Sequence, residues 1–370
     1  MRIAIVHDWL NHKRGGAENV LLRLSKLFSD ADIYTLAFNP DYFEEIQSRV
    51  VVSGLQKYPK KFRDNPKYLL SAIRKSIGKW KFDSYDLVIS SSGAWSKNIT
   101  LAPNQPHVCY CYTPARMLWD SWPKYLDQQF APKSRIQPAR LTLLKLCSEL
   151  RLWDYYGSGG VTQFVAISDY VASRIHKFYG RESLVIYPPV EIGAYHPSKS
   201  VQKQDYFLVL STLAPYKRVD IVVQSFAKSG LPLIIAGEGA DRRRLENLAS
   251  GAKNIEFRGY VDETQKTELL QQARALIFPG VEDFGIVPVE AMAAGTPVIA
   301  LKRGGLLETV VAGKTGLFFE EPTSSSLTQA IRQFDKTSFM QPALFDQSSK
   351  FDGSIFDDKI IKLVKSYEPK

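Results

Sequence analysis

The first half of the chain alternates short apolar runs with stretches of helical periodicity. Residues 3–6 are apolar and predict a buried strand, and a polar turn containing Gly15 and Gly16 follows. Residues 17–28 then carry apolar side chains at helical spacing. Further apolar runs predict parallel strands at residues 33–36, 87–90, 107–112 and 164–167.

The second half repeats this alternation as a separate series. Apolar runs predict strands at residues 206–210, 231–236, 275–278, 297–301 and 317–319. Helical spacing predicts helices at residues 218–227, 241–248, 264–272, 288–294, 306–311, 326–334 and 355–367. Strands that alternate with helices form parallel sheets through right-handed crossovers. We therefore expect an α/β protein of two doubly wound, Rossmann-like parallel-sheet domains with an interdomain cleft.

The length of the chain agrees with two domains, because 370 residues exceed what one hydrophobic core usually organises. The proline-bearing stretch 187–200 is typical of a linker. We expect an N-terminal domain at 1–187, a linker at 188–200 and a C-terminal domain at 201–352. Residues 353–370 are expected to form a helix that crosses back to the N-terminal domain.

Composition narrows the class of protein. With 45% hydrophobic and 23% charged residues, the chain is typical of a folded globular protein. No apolar run reaches the length of about eighteen residues expected of a membrane span, and we expect no secretion signal. The three cysteines are too few for a disulfide framework, which indicates a reducing, cytoplasmic setting. The formal net charge of +10 favours an anionic partner.

The richest candidate chemistry follows the strand predicted at residues 275–278. A loop carries Glu282, and a predicted helix carries Glu290, eight positions later. We expect both glutamates to face one site at the strand end, where parallel sheets bind their ligands. Between them the amides of residues 285–287 form a helix N-terminus suited to a phosphate. The segment alone is also compatible with a capped helix that carries two solvated acids.

This segment resembles the E-x7-E signature of the family 4 glycosyltransferases, which are retaining enzymes of the GT-B fold. The likeness continues to residue 308 and includes residues 315–318. Upstream, residues 210–220 resemble the segment with which that family binds the diphosphate, and residues 235–239 and 257–261 resemble its nucleotide-side loops. Residues 15–18 and 164–168 also fit, whereas the likeness is looser from residue 39 to residue 85.

The resemblance implies that the N-terminal domain binds the acceptor and that the C-terminal domain binds the nucleotide-sugar donor. It also implies a role for each matching residue. Glu290 would hold the ribose hydroxyls of a nucleotide sugar, and Glu282 would lie over the sugar. Lys217 and Arg218 would neutralise the leaving diphosphate, so that Glu282, Lys217 and Arg218 are the candidate catalytic residues. The implied donor-binding residues are Gly15, Gly16, Lys217, Arg218, Gly237, Gly259, Val261, Glu282, Phe284, Gly285, Ile286, Val287 and Glu290.

Two positions depart from the family pattern. The family usually has an arginine near Thr212, and we expect Arg218 to substitute for it. Relatives often carry a histidine where Tyr112 stands, close to the transferred sugar. We take Tyr112 and Arg116 as candidate residues of the acceptor cleft.

We expect no metal ion and no cofactor. The five histidines show no metal-ligand spacing. We expect Cys109 and Cys111, in one predicted strand, to point to opposite faces of it. Asp30 and Asp32 match a cation-binding pattern of another glycosyltransferase fold, but they precede a predicted strand, which favours a solvated turn.

A basic stretch lies outside the motifs that this chain shares with the family. Residues 57–81 hold nine Lys or Arg and one acid, with aromatic residues interleaved. Leu69, Leu70, Ile73 and Ile77 recur at helical spacing, which predicts an amphipathic helix with a cationic face. Such a helix favours an anionic membrane surface. A merely solvated helix face and attraction to RNA or DNA remain alternatives.

We therefore expect a retaining, metal-independent hexosyltransferase, peripherally associated with the inner face of the plasma membrane. It would move a hexose from a nucleoside diphosphate sugar to a lipid-linked saccharide acceptor, and UDP-glucose is the first donor we expect. The product would belong to polysaccharide biosynthesis of the exopolysaccharide or lipopolysaccharide type. We expect no binding of nucleic acid. The alternatives are a sugar-nucleotide epimerase or a phosphorylase of the same fold, a basic nucleic-acid-binding protein, and an inactive scaffold.

Overall fold

The computed structural model describes residues 1–12, 14–64, 69–120, 138–195 and 201–368, and it describes side chains in the helix 138–158 from residue 144 onward. The chain divides into two compact units. Unit 1 comprises Met1–Ile186 and Asp357–Lys370, and unit 2 comprises Tyr187–Phe356.

Unit 1 is built on a seven-stranded parallel sheet. Its strands are β1 Ile3–His7, β2 Asp32–Thr35, β3 Val50–Val52, β4 Leu87–Ser92, β5 His107–Cys111, β6 Gln163–Ala166 and β7 Ser183–Val185. Their order across the sheet is β3-β2-β1-β4-β5-β6-β7. The apolar pattern missed β3 and β7, which are edge strands of three residues each and only partly buried.

The helices described in unit 1 are α1 Gly16–Leu27, α2 Lys60–Arg63, α3 Leu70–Ile77, α4 Arg116–Trp119, α5 Pro138–Ser158 and α6 Asp169–Tyr179. Local chemistry sets their ends. Gly15 caps α1, and its N–H donates to Oε2 of Glu18 at 2.9 Å. Ser168 caps α6 by accepting from the N–H of Val171, and Gly180 ends that helix at a φ of 63°.

Unit 2 holds a six-stranded parallel sheet. Its strands are β8 Phe207–Leu210, β9 Leu233–Ala236, β10 Ile255–Gly259, β11 Ala275–Phe278, β12 Val298–Leu301 and β13 Gly316–Phe319. Their order is β10-β9-β8-β11-β12-β13, the strand order of a Rossmann fold. The expected α/β class with two Rossmann-like parallel sheets is thus confirmed.

The helices described in unit 2 are α7 Val219–Ser229, α8 Arg242–Leu248, α9 Glu263–Gln272, α10 Ile286–Ala293, α11 Leu306–Thr309, α12 Ser324–Phe334 and α13 Gln341–Ser349. The last helix, α14 Gly353–Lys365, includes the boundary between the units. Its residues from Asp357 onward belong to unit 1, where Arg23 donates two hydrogen bonds to the Asp357 carboxylate at 2.8 and 2.7 Å.

Residues 188–195, which we expected to begin a linker, cluster with unit 2. The N–H of Val190 donates to the carbonyl of Phe351 at 3.1 Å, and Ile192–Tyr195 forms a turn of 3-10 helix. The prolines predicted an extended segment, but its apolar side chains are buried against unit 2. The rest of the expected linker, 196–200, lies outside the described residues.

The orientation expected for two cysteines was wrong. Cys109 and Cys111 lie two positions apart on β5 and therefore share a face of the sheet. A hydrogen bond with the Cys109 thiol, together with burial, raises the pKa of Cys111 well above its usual value. All three cysteines are buried and free of disulfides.

In unit 2 the strand order reverses between β8 and β11. At such a point the helices that follow the two strands leave on opposite faces of the sheet, and a crevice opens beyond the carboxyl ends. The strands themselves are fully buried. The loops after β8 and β11 therefore carry the first candidates for chemistry.

Candidate functional site

Lys217 and Glu282 meet at the carboxyl ends of β8 and β11. Lys217 ends the turn Pro215–Lys217 after β8, and Glu282 lies in the loop after β11. Nζ of Lys217 donates a hydrogen bond to Oε1 of Glu282. The side chains are 16% and 20% exposed, so the pair is half-buried. The structure brings together two residues that the sequence analysis assigned to the reaction.

Close backbone approaches hold this pair in place. A Cβ on Gly280 would lie 3.1 Å from the carbonyl oxygen of Lys217, so the two loops touch through their main chains. On the other side, Gly304 adopts a φ of 70°, and a Cβ there would overlap the carbonyl oxygen of Glu282. The N–H of Gly305 donates to that same oxygen at 2.9 Å. The loop after β12 thereby fixes the backbone of Glu282.

Arg218 lies beside the pair in a strained conformation. Its φ of 55° is the single positive value that a non-glycine residue shows in the described part of the chain. Its Nε donates to Oδ1 of Asp220 at 3.2 Å, and its side chain is 41% exposed. Strain of this kind is often retained where a side chain has a functional position.

The helix α10 begins next to Glu282. Gly285 precedes it at a φ of 94°, which places the amides of Ile286 and Val287 in the first turn of the helix. The neighbouring Phe284 does not line a site as we expected, because its side chain is buried. Its ring stacks on Tyr187 at 5.6 Å and packs against Phe351 at 5.3 Å.

Glu290 lies on α10 and is buried, with 7% of its surface exposed. Its Oε1 accepts two hydrogen bonds, from the hydroxyl of Tyr195 at 2.8 Å and from Nζ of Lys266 at 2.9 Å. Its Oε2 is buried and has no hydrogen-bond partner among the described residues. Glu290 is therefore not a solvated acid, and within the described part of the chain one of its oxygens has no donor.

Tyr195 and Lys266 were not among the site residues predicted from the sequence. Tyr195 lies in the stretch expected to be a linker, 95 positions from Glu290, and no motif marks it. Burial lowers the pKa of Lys266, but the adjacent Glu290 carboxylate outweighs burial, so the pKa is raised overall. Burial and the same carboxylate raise the pKa of Tyr195. Both groups therefore donate to Glu290 at neutral pH.

The glycines expected near the nucleotide lie where backbones cross. Gly237 has a φ of 135°, and a Cβ on it would overlap the carbonyl oxygen of Ser211. Its N–H donates to the carbonyl of Gly259 at 2.6 Å, and Gly259 has a φ of 73°. Val261, two residues on, is half-buried and lines a pocket of about 240 Å³ with Tyr260.

In unit 1 the hydroxyl of Tyr112, a candidate residue of the acceptor cleft, is bound by other residues of the protein. Its hydroxyl hydrogen-bonds with Oγ of Ser91 at 2.7 Å and donates to the carbonyl of Ala17 at 2.9 Å. Oγ of Ser91 also contacts Nδ1 of the buried His7 at 2.9 Å. The hydroxyl of Tyr112 therefore supports the first turn of α1, which begins beside Gly15 and Gly16. Arg116 begins α4 and is half-buried.

The described residues contain no group of three His, Cys, Asp or Glu side chains arranged to hold a metal ion. Their helices include none long and apolar enough to cross a membrane.

Family models match both halves of the chain. The model described as Glycosyltransferase Family 4 matches residues 14–193, and the model described as Glycosyl transferases group 1 matches residues 195–341. The chain belongs to the family 4 glycosyltransferases. The resemblance seen in the motif around Glu282 and Glu290 is thus confirmed.

Individual family members are distant from this chain. An uncharacterized glycosyltransferase of Methanocaldococcus jannaschii is 24% identical over 61% of this chain and 65% of its own length. The chain thus spans less than two thirds of that relative. An alpha-1,3/1,6-mannosyltransferase ALG2 of Debaryomyces hansenii is 25% identical over 90% of this chain and 82% of its own length.

The fold of this family 4 member resembles solved structures over its whole length. The crystal structure of HepE from Anabaena in complex with UDP has a TM-score of 0.71 and 19% identity, and the match covers 99% of this chain and 100% of HepE. At that identity the likeness shows the fold alone.

Proposed function

We propose that the protein is a retaining glycosyltransferase that moves a hexose from a nucleoside diphosphate sugar to an acceptor hydroxyl. The observation that carries the proposal is the contact of Lys217 with Glu282 at the point where the strand order of unit 2 reverses. This pair places a cation and an acid next to the N-terminus of α10, in the crevice where open parallel sheets bind ligands. Family membership agrees with this chemistry.

The positive charge for the leaving group comes from Lys217 and Arg218. As the bond between the anomeric carbon and the diphosphate breaks, negative charge grows on the phosphate oxygens. Lys217 then exchanges its contact with Glu282 for a contact with the diphosphate. The acceptor hydroxyl forms the new bond to the same face of the anomeric carbon, and its proton passes to the leaving phosphate oxygen. Glu282, released from Lys217, lies over the sugar and stabilises positive character at that carbon.

Glu290 supplies the binding site for the ribose. Its Oε2 is an acceptor without a donor among the described residues, and leaving such an acceptor unsatisfied costs free energy. A ribose hydroxyl would satisfy it. UDP-glucose is the first donor to test, since HepE was crystallised with UDP-glucose and shares the fold.

The experiment on the donor is a thermal-shift screen against UDP, GDP, ADP and their hexose conjugates, followed by an assay of nucleoside diphosphate release. We expect one nucleotide series to raise the melting temperature of the intact chain and one of its sugars to be turned over. Stabilisation by none of the three series would overturn the proposal. Formation of an epimerised nucleotide sugar without transfer would replace it with the epimerase alternative.

We further propose that the acceptor is lipid-linked and that unit 1 contacts an anionic membrane. A groove of about 580 Å³ runs between α3 and α5, with the half-buried Leu146 in its lining and the buried Leu70 and Leu150 beneath. Arg74, Lys75 and Lys79 line it together with one acid, Glu149, so its rim is cationic on balance. Two further apolar side chains of α5 are exposed to solvent. Leu152 is 57% exposed and Tyr156 is 73% exposed. Lipid headgroups and acyl chains together suit such a surface.

Flotation with vesicles tests the membrane contact. We expect the protein to bind vesicles that contain phosphatidylglycerol and not vesicles of pure phosphatidylcholine. The variant Arg74→Gln/Lys75→Gln/Lys79→Gln should lose most of this binding. The control Lys228→Gln/Lys253→Gln/Lys336→Gln removes the same charge from exposed positions of unit 2 and should retain it. Equal loss in both variants would indicate non-specific attraction, and tight salt-sensitive binding to RNA would favour the nucleic-acid alternative.

A further inference from the structure

The hydrogen bonds to Glu290 are unevenly divided between its two oxygens. Oε1 accepts from Tyr195 and from Lys266, while Oε2 is buried and without a partner among the described residues. A carboxylate oxygen usually accepts about two hydrogen bonds, one for each lone pair. Oε1 is therefore saturated, and the remaining hydrogen-bonding capacity of Glu290 lies on Oε2.

Both donors are themselves held in place. Tyr195 is buried, and its carbonyl accepts from Nε2 of Gln271 at 3.2 Å. Nζ of Lys266 lies 5.2 Å from the centre of the Tyr195 ring, a cation–π contact, and also pairs with Glu263 at 2.9 Å. The turn Ile192–Tyr195 packs against α9 and α10, the helices that carry Lys266 and Glu290. The arrangement is thus a fixed frame around one oxygen.

We propose that Tyr195 and Lys266 are positioning residues that hold the Glu290 carboxylate so that Oε2 alone binds the ribose hydroxyls of the nucleotide. The proposal rests on the proposed function, since it concerns the same donor site. It names ribonucleoside diphosphates as the class that the site selects over deoxyribonucleoside diphosphates. Oε2 is buried, so the ribose reaches it only when neighbouring side chains shift.

The physical reason lies in the rotation of the carboxylate. When Tyr195 loses its hydroxyl, Oε1 keeps one donor, and the plane of the carboxylate can turn away from its observed orientation at lower cost. The acceptor presented to the ribose is then no longer fixed. Binding through the phosphates and the base continues, but the contribution of the ribose hydroxyls falls.

The test measures discrimination between ribose and deoxyribose. Binding of UDP, 2′-deoxy-UDP and 3′-deoxy-UDP to the full chain is measured by calorimetry, or of the corresponding GDP or ADP series if the donor screen selects that base. We expect the wild type to prefer the ribonucleotide by about tenfold, as a hydrogen bond to a charged acceptor predicts. In Tyr195→Phe and in Lys266→Met this preference should fall to about twofold or less.

The matched control is Tyr206→Phe. Tyr206 is buried in the same unit, and its hydroxyl donates to the carbonyl of Leu269 on α9 at 2.9 Å, away from Glu290. We expect this variant to keep the tenfold preference. A general loss of stability would weaken the ribonucleotide and the deoxynucleotides equally and leave their ratio unchanged.

The outcomes separate this inference from the proposed function. If the wild type binds a nucleoside diphosphate and Tyr195→Phe retains the full preference for ribose, the positioning role is overturned while the glycosyltransferase proposal stands. If the wild type binds no nucleoside diphosphate, both proposals fail. If the wild type binds the ribonucleotide and the deoxynucleotides equally, Glu290 does not recognise the ribose hydroxyls. The inference then fails, while the glycosyltransferase proposal stands.

Discussion

Nζ of Lys217 donates a hydrogen bond to Oε1 of Glu282, which joins the loop after β8 to the loop after β11. Glu290 pairs with Lys266 in the same way, so each of the two glutamates of the signature has a lysine partner. The two pairs differ in their surroundings. The Glu282 side chain is 20% exposed and its pair is the more open of the two, whereas the Glu290 side chain is 9% exposed and is also held by Tyr195. We therefore expect the first pair to exchange partners during turnover and the second to persist.

Removing the acid of the open pair should separate chemistry from binding. In Glu282→Ala we expect turnover to fall about a hundredfold or more, since charge stabilisation near the reacting carbon is lost. The dissociation constant for the nucleoside diphosphate should stay the same or decrease, because Lys217 no longer has a competing partner. Steady-state kinetics and calorimetry measure the two quantities. Glu320→Ala, which removes a surface carboxylate paired with Lys302, is the control.

Removing the acid of the fixed pair should act on binding first. In Glu290→Ala we expect the dissociation constant for the nucleoside diphosphate to rise about tenfold, because the ribose loses a charged hydrogen-bond acceptor. Calorimetry with the same ligand measures it. An equal loss of nucleotide affinity in Glu282→Ala and Glu290→Ala would contradict the separate roles of the two residues.

A buried ion pair in unit 1 should make a large contribution to stability. Lys97 and Asp154 are almost fully buried, and Nζ of Lys97 donates a hydrogen bond to Oδ1 of Asp154. Oδ2 of Asp154 accepts hydrogen bonds from Trp119 and Tyr179, each at 2.8 Å. We expect Lys97→Met to lower the free energy of unfolding by about 3–5 kcal/mol, because it leaves a buried carboxylate unpaired. Urea unfolding measures this. Lys26→Met, at an exposed position of α1, should change the free energy by less than about 0.5 kcal/mol.

Stability should fall in mild acid because of a buried histidine. Burial lowers the pKa of His107 to about 3, from 6.5 in the unfolded chain. The unfolded state therefore binds more protons between these values, and stability is lost as the pH falls from about 6.5 to about 3. Between pH 7.5 and pH 5 we expect a loss of about 2 kcal/mol from this residue.

Urea unfolding of the wild type and of His107→Gln at the two pH values tests this expectation. The variant should lose less stability on acidification, since its side chain does not titrate. His7, whose pKa burial also lowers, continues to contribute in both proteins. An identical pH dependence of wild type and variant would show that His107 is already accessible to protons in the folded state.

The pattern of apolar residues predicted most of the central strands and long helices. This succeeded because central parallel strands are buried on both faces and read as continuous apolar runs, as in β8 and β11. The edge strands β3, β7 and β10 were missed because their side chains are partly exposed. The motif around Glu282 and Glu290 was found because its residues are neighbours in the sequence and match a known family.

The partners of those residues were decided by the tertiary structure. Tyr195 reaches Glu290 from a stretch whose prolines predicted a linker. The hydroxyl of Tyr112, which we expected in the acceptor cleft, donates to the first turn of α1. Phe284, inside the motif, packs into an aromatic cluster. Hydrophobic periodicity reports only which face of an element is buried. Which distant side chain then meets which carboxylate depends on how the loops pack at the strand ends, and that packing leaves no local trace in the sequence.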